Sequence, residues 1–206
     1  MARARGTPAE LHAADLPLSS RLVRVCSPTS GALVIGSAQP ETDVASGEAF
    51  VRRRTGGGAV LVIPGNLLWI DVVVPAGDPL WDDDVGRSFL WLGDTWAAAL
   101  SSLGVDAGTY RGGFCHTRWC RLVCFAGLGP GEVAVGDRKC VGLAQRRTRG
   151  GAWFQCAALL RWDADELLAR LVVDDRDVAL AELKDAAVGL DAAAEDLERA
   201  FLDALP

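Results

Sequence analysis

The segment Arg52-Arg53-Arg54-Thr55-Gly56-Gly57-Gly58-Ala59-Val60 sets three guanidinium groups beside three residues that lack a Cβ. Backbone amides and positive charge can both approach a bound ligand there. A second segment, Gly136-Asp137-Arg138-Lys139-Cys140-Val141-Gly142-Leu143-Ala144-Gln145, presents one lysine inside a strand-like, glycine-flanked run. Of the 21 basic residues only Lys139 and Lys184 are lysines. A compact ammonium with three rotatable donors does chemistry that a planar guanidinium does not. Together the two segments read as a site for an anionic or carbonyl-bearing small molecule. The plain alternative for Lys139 is a surface lysine on a hairpin. On either reading it is expected to be dispensable for folding.

Cysteine is the other reactive side chain. Cys26, Cys115, Cys120, Cys124, Cys140 and Cys156 lie in a chain whose start has no apolar leader, so reduced thiols and a cytoplasmic location are expected. Cys115, Cys120 and Cys124 with His116 match no zinc spacing well, and no metal site is expected. Cys124 has two readings, a nucleophile beside basic groups or a packed strand cysteine.

These groups need a scaffold, and 206 residues with half of them apolar suffice for one domain with a sizeable core. A net charge of −6 argues against nucleic acid and against an anionic membrane surface. Within that acidic chain Arg52, Arg53, Arg54, Arg138, Lys139, Arg146, Arg147 and Arg149 crowd into the two motif regions, which favours a local anion site.

Residues 1–19 read as a polar N-terminal arm, 20–160 as a sheet core bearing the motifs, and 161–206 as C-terminal helices. Short strands are expected at Arg21–Val25 and Ala32–Ile35. Two more, Ala59–Ile63 and Leu67–Val74, flank the turn at Pro64-Gly65-Asn66. Val85, Phe89, Leu92, Trp96, Leu100 and Leu103 follow helical spacing, with Asp82-Asp83-Asp84 at the helix start rather than on a metal. Strands return at Leu122–Phe125, Glu132–Val135, Lys139–Ala144 and Trp153–Leu160. Asp163-x-x-Glu166 resembles a capping box, and Leu197, Ala200, Phe201, Ala204 and Leu205 share a face of a last helix. The pattern predicts an α+β fold, a mixed β-sheet flanked by helices.

Three ordered motifs carry a family resemblance: Ala32-Leu33-Val34-Ile35-Gly36-Ser37-Ala38-Gln39, then Arg53-Arg54-Thr55-Gly56-Gly57-Gly58-Ala59-Val60 with Gly65-Asn66-Leu67, then Asp137-Arg138-Lys139-x-x-Gly142-x-Ala144. Over residues 20 to 160 the chain resembles the lipoate-protein ligase and octanoyltransferase family. That resemblance implies a biotin/lipoate-ligase catalytic domain, class II synthetase-like, with a tunnel for a medium-length acyl chain. It implies acyl- or nucleotide-binding roles for Arg53, Arg54, Thr55, Gly56, Gly57, Gly58, Asn66, Gly142 and Gln145, and catalytic roles for Lys139 and Cys124. It further implies a lipoyl or octanoyl substrate, ATP and Mg²⁺ if the chain is a ligase, and a lipoyl carrier domain or acyl carrier protein as partner. Arg146, Arg147 and Arg149 would attract a nucleotide or an acidic carrier. Cys124, fifteen residues before Lys139, resembles the cysteine placement of the members that hold the acyl group as a thioester.

Two departures stand out. Where many relatives have histidine after the glycine loop this chain has Val62, and where they have His-Gly-Ser it has Cys156-Ala157-Ala158; His12 and His116 lie outside those positions. A non-catalytic acyl- or cofactor-binding relative is therefore one rival. A biotin-type ligase is weaker, because the loop reads Arg-Arg-Arg-Thr-Gly-Gly-Gly. No accessory domain follows residue 206, which is expected of a transferase or a two-component ligase.

Overall fold

The computed structural model describes all of residues 1–206. Ten strands and five α-helices follow in the order β1 (Ala2–Gly6), α1 (Pro8–Ala13), β2 (Leu22–Pro28), β3 (Ala32–Ile35), β4 (Phe50–Arg52), β5 (Val60–Val62), β6 (Leu67–Pro75), α2 (Leu90–Ser102), β7 (Gly108–Thr109), β8 (Val133–Val135), β9 (Arg138–Thr148), β10 (Gly151–Leu159), α3 (Ala164–Leu168), α4 (Arg176–Leu183) and α5 (Ala194–Asp203). Seven strands form one sheet in the order β1-β2-β6-β10-β9-β8-β7, and β4-β3-β5 form a second. The β1–β2 pair is parallel and β2–β6, β6–β10 and β10–β9 are antiparallel, so the large sheet is mixed. The predicted α+β class is the observed one.

Alternation along a strand sends successive side chains to opposite faces. On β6, Leu68, Ile70, Val72 and Val74 turn to a core shared with Leu92, Trp96 and Leu100 of α2 and Leu197 and Phe201 of α5. Trp96 and Phe201 meet there at a centroid distance of 4.2 Å. Leu67 and Trp69 turn the other way, toward Val34 and Val62 of the small sheet, Phe125 and Leu11. The small sheet's remaining face carries Leu33 and Ile35 against Leu167, Leu168, Ala179 and Leu183 of α3 and α4. Covering on both faces is why the sequence there runs apolar without alternation.

Two segments differ from expectation. The supposed polar arm forms β1 and α1; Thr7 caps α1 by accepting from the Glu10 amide while the Glu10 carboxylate accepts from the Thr7 amide. Leu122–Phe125 is not a strand. Its contact with Ala59 is a single bridge, after which Cys124–Ala126 close into a 3₁₀ turn. Elsewhere the differences are of boundary: Ala32–Ile35 falls as predicted, while β9 runs to Thr148. The aspartate triplet sits in the turn before α2, where Asp84 accepts from the Arg87 amide and Asp82 pairs with the Arg87 guanidinium.

Candidate active site

The face of the large sheet opposite α2 and α5 is shallow in the middle. Register places Gly142 beside Ala157, Ala157 beside Trp69 and Trp69 beside Cys26; the next row is Ala144, Gln155, Asp71 and Arg24. Gly142, Ala144 and Ala157 have almost no side chain, so a trench opens between the two sheets. Val34, Val60, Val62, Arg53, Cys124 and Phe125 also line it, and His12 of α1 joins the lining. The trench is partly open to solvent and its lining is mostly apolar. Such a cavity suits an alkyl chain.

Backbone packing forms the glycine loop. A Cβ on Gly36 would lie 1.9 Å from the Gly57 carbonyl oxygen, and one on Gly58 would lie 2.6 Å from the Val123 nitrogen. Gly57 has φ +95°, a region that side-chain-bearing residues rarely enter. Arg53 clamps the loop, its Nη2 donating to the carbonyls of Gly56 (2.7 Å) and Gly58 (2.8 Å). A Cβ on Gly57 would meet both Arg53 Nη2 at 2.9 Å and Cys124 Sγ at 3.6 Å, so guanidinium and thiol converge on one stretch of backbone. The amides of Gly57 and Gly58 donate to no backbone carbonyl. Gly36→Ala is expected to push the loop off this position, with a thermal destabilisation of about 1–3 kcal/mol read by calorimetric melting. An unchanged midpoint in Gly36→Ala would show that the close approach does not matter.

Lys139 departs from the surface reading. It is 3 % exposed, and its Nζ meets Glu132 Oε1 at 2.7 Å, the Cys124 carbonyl at 3.0 Å and the Gly127 carbonyl at 3.1 Å. Two of its donors are taken by the carbonyls, and the Glu132 carboxylate lies in ion-pair contact. The ammonium also lies 5.0 Å from the centre of the Phe125 ring. Glu132 in turn accepts from the Gly129 and Leu143 amides. Lys139 thus grips the Cys124–Gly127 turn from behind, while Cys124 Sγ faces the trench. Cys156 turns its side chain to the opposite face, into the core with Ile70 and Trp96, and burial pushes its thiol up to about 12. It is a poor nucleophile; Cys124 is half-buried.

Arg53, Thr55, Gly57, Gly58, Gly142, Cys124 and Lys139 therefore come together. Gly56 contributes its carbonyl to the Arg53 clamp. Three expected residues lie elsewhere. Arg54 turns away from the cavity to pair with Asp15 and donates to the Ala13 carbonyl, tying down the segment after α1. Asn66 sits in the turn before β6, its carbonyl accepting from the Leu160 and Arg161 amides. Gln145 points to the α2 side, where its Nε2 reaches Ser88 Oγ at 3.2 Å. The three downstream arginines are split as well: Arg147 stacks on Trp81 at 4.0 Å and donates to the Asp82 carbonyl, whereas Arg146 and Arg149 are exposed.

Sequence reasoning missed His12, Gln155, Trp69 and Glu132. His12 packs on Trp69 with ring centroids 4.4 Å apart and shares a 3.2 Å hydrogen bond with Gln155 Nε2 through Nδ1. Burial, helped by the Arg53 and Arg24 charges, pushes its pKa down to about 4, so the ring is neutral near pH 7. Beneath lies a buried ion pair: Arg24 donates to Asp71 at 2.5 and 2.9 Å and to the Leu11 carbonyl at 3.1 Å, and Trp69 Nε1 donates to Asp71 at 2.8 Å. The one available signal for α1 was the capping box Thr7-Pro8-Ala9-Glu10.

A mixed sheet with an apolar trench, a glycine loop and a lysine-braced turn defines the lipoate-ligase class of fold, and solved structures match it. An archaeal bipartite lipoate protein ligase from Thermoplasma acidophilum, determined with its E2 lipoyl domain, superposes with a TM-score of 0.72 at 21% identity over 98% of this chain and 81% of that one. Lipoate-protein ligase A bound with ATP gives 0.67 at 22% identity, covering 89% and 70%. The lipoyl protein ligase A/B catalytic domain matches residues 14–201, and the chain belongs to that family. Two similar relatives are octanoyltransferases LipM. That of Kyrpidia tusciae is 30% identical over 78% of this chain and 64% of its own length; that of Moorella thermoacetica is 32% identical over 70% and 54%. The chain thus spans less than two thirds of these relatives.

Proposed function

We propose that this chain is a medium-chain acyltransferase that holds a lipoyl or octanoyl group on Cys124 and passes it to a lysine of a lipoyl carrier domain. The observation that carries the reading is Cys124 Sγ in the wall of an apolar trench beside the amides of the glycine loop. In the first step the Cys124 sulfur attacks the carbonyl of an acyl-carrier thioester, the carbonyl oxygen being received by the Gly57 and Gly58 amides. The bond to the carrier sulfur breaks and that thiol leaves with the proton. In the second step the acceptor lysine, as its free amine, forms the amide and Cys124 regains its proton. Lys139 holds the turn that presents Cys124, and Arg53 holds the loop.

The chemistry of the neighbouring groove supports transfer over ATP-dependent ligation. On the other side of Phe125, the groove next to Lys139 is lined by Asp106, Asp137, Glu182 and Asp185, with Lys139 its sole cation. Four carboxylates repel a metal-free nucleotide triphosphate; the Mg²⁺-bound form is tested directly by the ATP arm of the experiment. One observation favours the rival, a non-catalytic acyl binder: Lys139 is buried, ion-paired with Glu132 and donates to two backbone carbonyls of the protein. The reading also carries an expectation of a cytoplasmic site of action; no helix is long and apolar enough to cross a membrane.

The deciding experiment supplies octanoyl-carrier thioester without ATP and follows intact mass. A hydroxylamine-labile octanoyl adduct that is passed to a lipoyl domain is the expected result. Pyrophosphate release from lipoate, ATP and Mg²⁺ would make the chain a ligase instead, and acyl binding with neither reaction would make it a binder.

A further inference from the structure

Cys124 and His12 lie toward different sides of the trench, with Arg53 and Thr55 of the glycine loop between them. Cys124, Phe125 and Gly142 mark the β9 end: a Cβ on Gly142 would lie 3.1 Å from the Phe125 ring and 3.3 Å from Lys139 Cε. Trp69 and His12 mark the β6 end, two strands away. At about 4.8 Å per strand, Gly142 and Trp69 on the trench floor are about 10 Å apart across the sheet, and an acyl chain laid over that floor from Cys124 would run toward His12.

That far end is not apolar. In the arrangement the structure records, Thr55 Oγ1 donates to Gln155 Oε1 at 3.1 Å, and Gln155 Nε2 donates to His12 Nδ1 at 3.2 Å. With Nδ1 accepting, the proton of the neutral ring resides on Nε2. Three largely buried polar side chains thus form a chain that ends on one N–H. His12 Nε2 has no hydrogen-bond partner in the protein, nor is it among the polar atoms sealed from solvent without a partner. Stacking on Trp69 fixes the ring, and the Leu11 carbonyl bound by Arg24 fixes the helix that carries it.

We propose that His12, oriented by Gln155 and Thr55, is a specificity-determining residue that receives a hydrogen-bond-accepting ω terminus, so that the site takes ω-functionalised medium-chain acyl groups as well as, or in preference to, those ending in methyl. An apolar wall would make a ligand hydroxyl give up its water without compensation, a penalty of tenfold or more. The imidazole N–H removes that penalty. The inference rests on the trench being the acyl site, and its test separates the two ideas.

Octanoic acid and ω-hydroxyoctanoic acid are titrated calorimetrically into the whole protein, wild type and His12→Leu. Wild type is expected to bind the hydroxy acid at least as tightly as octanoic acid. His12→Leu is expected to shift the ratio toward octanoic acid by about tenfold or more. Wild-type discrimination against the hydroxyl by tenfold or more overturns the proposal, and this arm needs no variant, so a misfolded His12→Leu does not blunt it. The same ratio in a folded His12→Leu also overturns it. If neither acid binds, the acyl-site reading falls, and the specificity proposal with it.

Discussion

Lys139→Ala is expected to unfold about 10 °C or more below the wild type, because removing the ammonium leaves the Glu132 carboxylate buried and uncompensated, a cost of about 3–5 kcal/mol. The sequence alone predicts the opposite, a lysine dispensable for folding. What reverses the expectation is a residue only 3 % exposed, whose Nζ is paired with Glu132 and bound to two carbonyls of the Cys124 turn. The double variant Lys139→Met, Glu132→Gln removes both charges and is expected to recover much of the stability while leaving the turn without its brace. Acyl transfer should therefore stay low in the double variant although the fold returns. Calorimetric melting alongside a transfer assay separates these effects; an unchanged midpoint in Lys139→Ala would refute the buried-pair argument.

Cys124→Ser is expected to melt within a few degrees of the wild type yet lose acyl transfer by a factor on the order of 10³ or more, with no octanoyl adduct in the intact mass. Oxygen in place of sulfur fits the same half-buried position but is a far weaker nucleophile at neutral pH. Order of alkylation is a poor substitute for this test. Cys115 is exposed, so accessibility alone would label it ahead of Cys124 whatever Cys124 does. Full transfer by Cys124→Ser would return the residue to a structural role and leave direct transfer from donor to acceptor.

Local pattern was enough for much of the scaffold. The strand Ala32–Ile35, the pair β9 and β10 and the amphipathic last helix all announce themselves through periodicity and flanking glycines. Leu122–Phe125 has the composition of a strand, but Lys139 draws in the carbonyls of Cys124 and Gly127, and the backbone turns instead of pairing. Such a long-range tether has no local signature. Gln145 is a different matter. Period-two alternation already puts it on the face opposite Gly142 and Ala144, so assigning it to the same site as Gly142 overlooked information that was present. The motif glycines were readable as a close-approach loop, whereas the partners that make Gly36 and Gly58 indispensable, Gly57 and Val123, emerge only once the two sheets are packed.

His12 precedes the stretch, residues 14–201, over which the family's domain is recognised, yet its ring is part of the chamber wall. Two members with identical motifs could therefore differ in the cargo they accept through a short helix that motif-based classification never inspects. A hybrid that joins α1 of one member to the remainder of another would transplant that preference without touching a residue of the glycine loop or the lysine motif. On the proposed reading, α1 would set cargo preference separately from the chemistry of the glycine loop and the Cys124 turn.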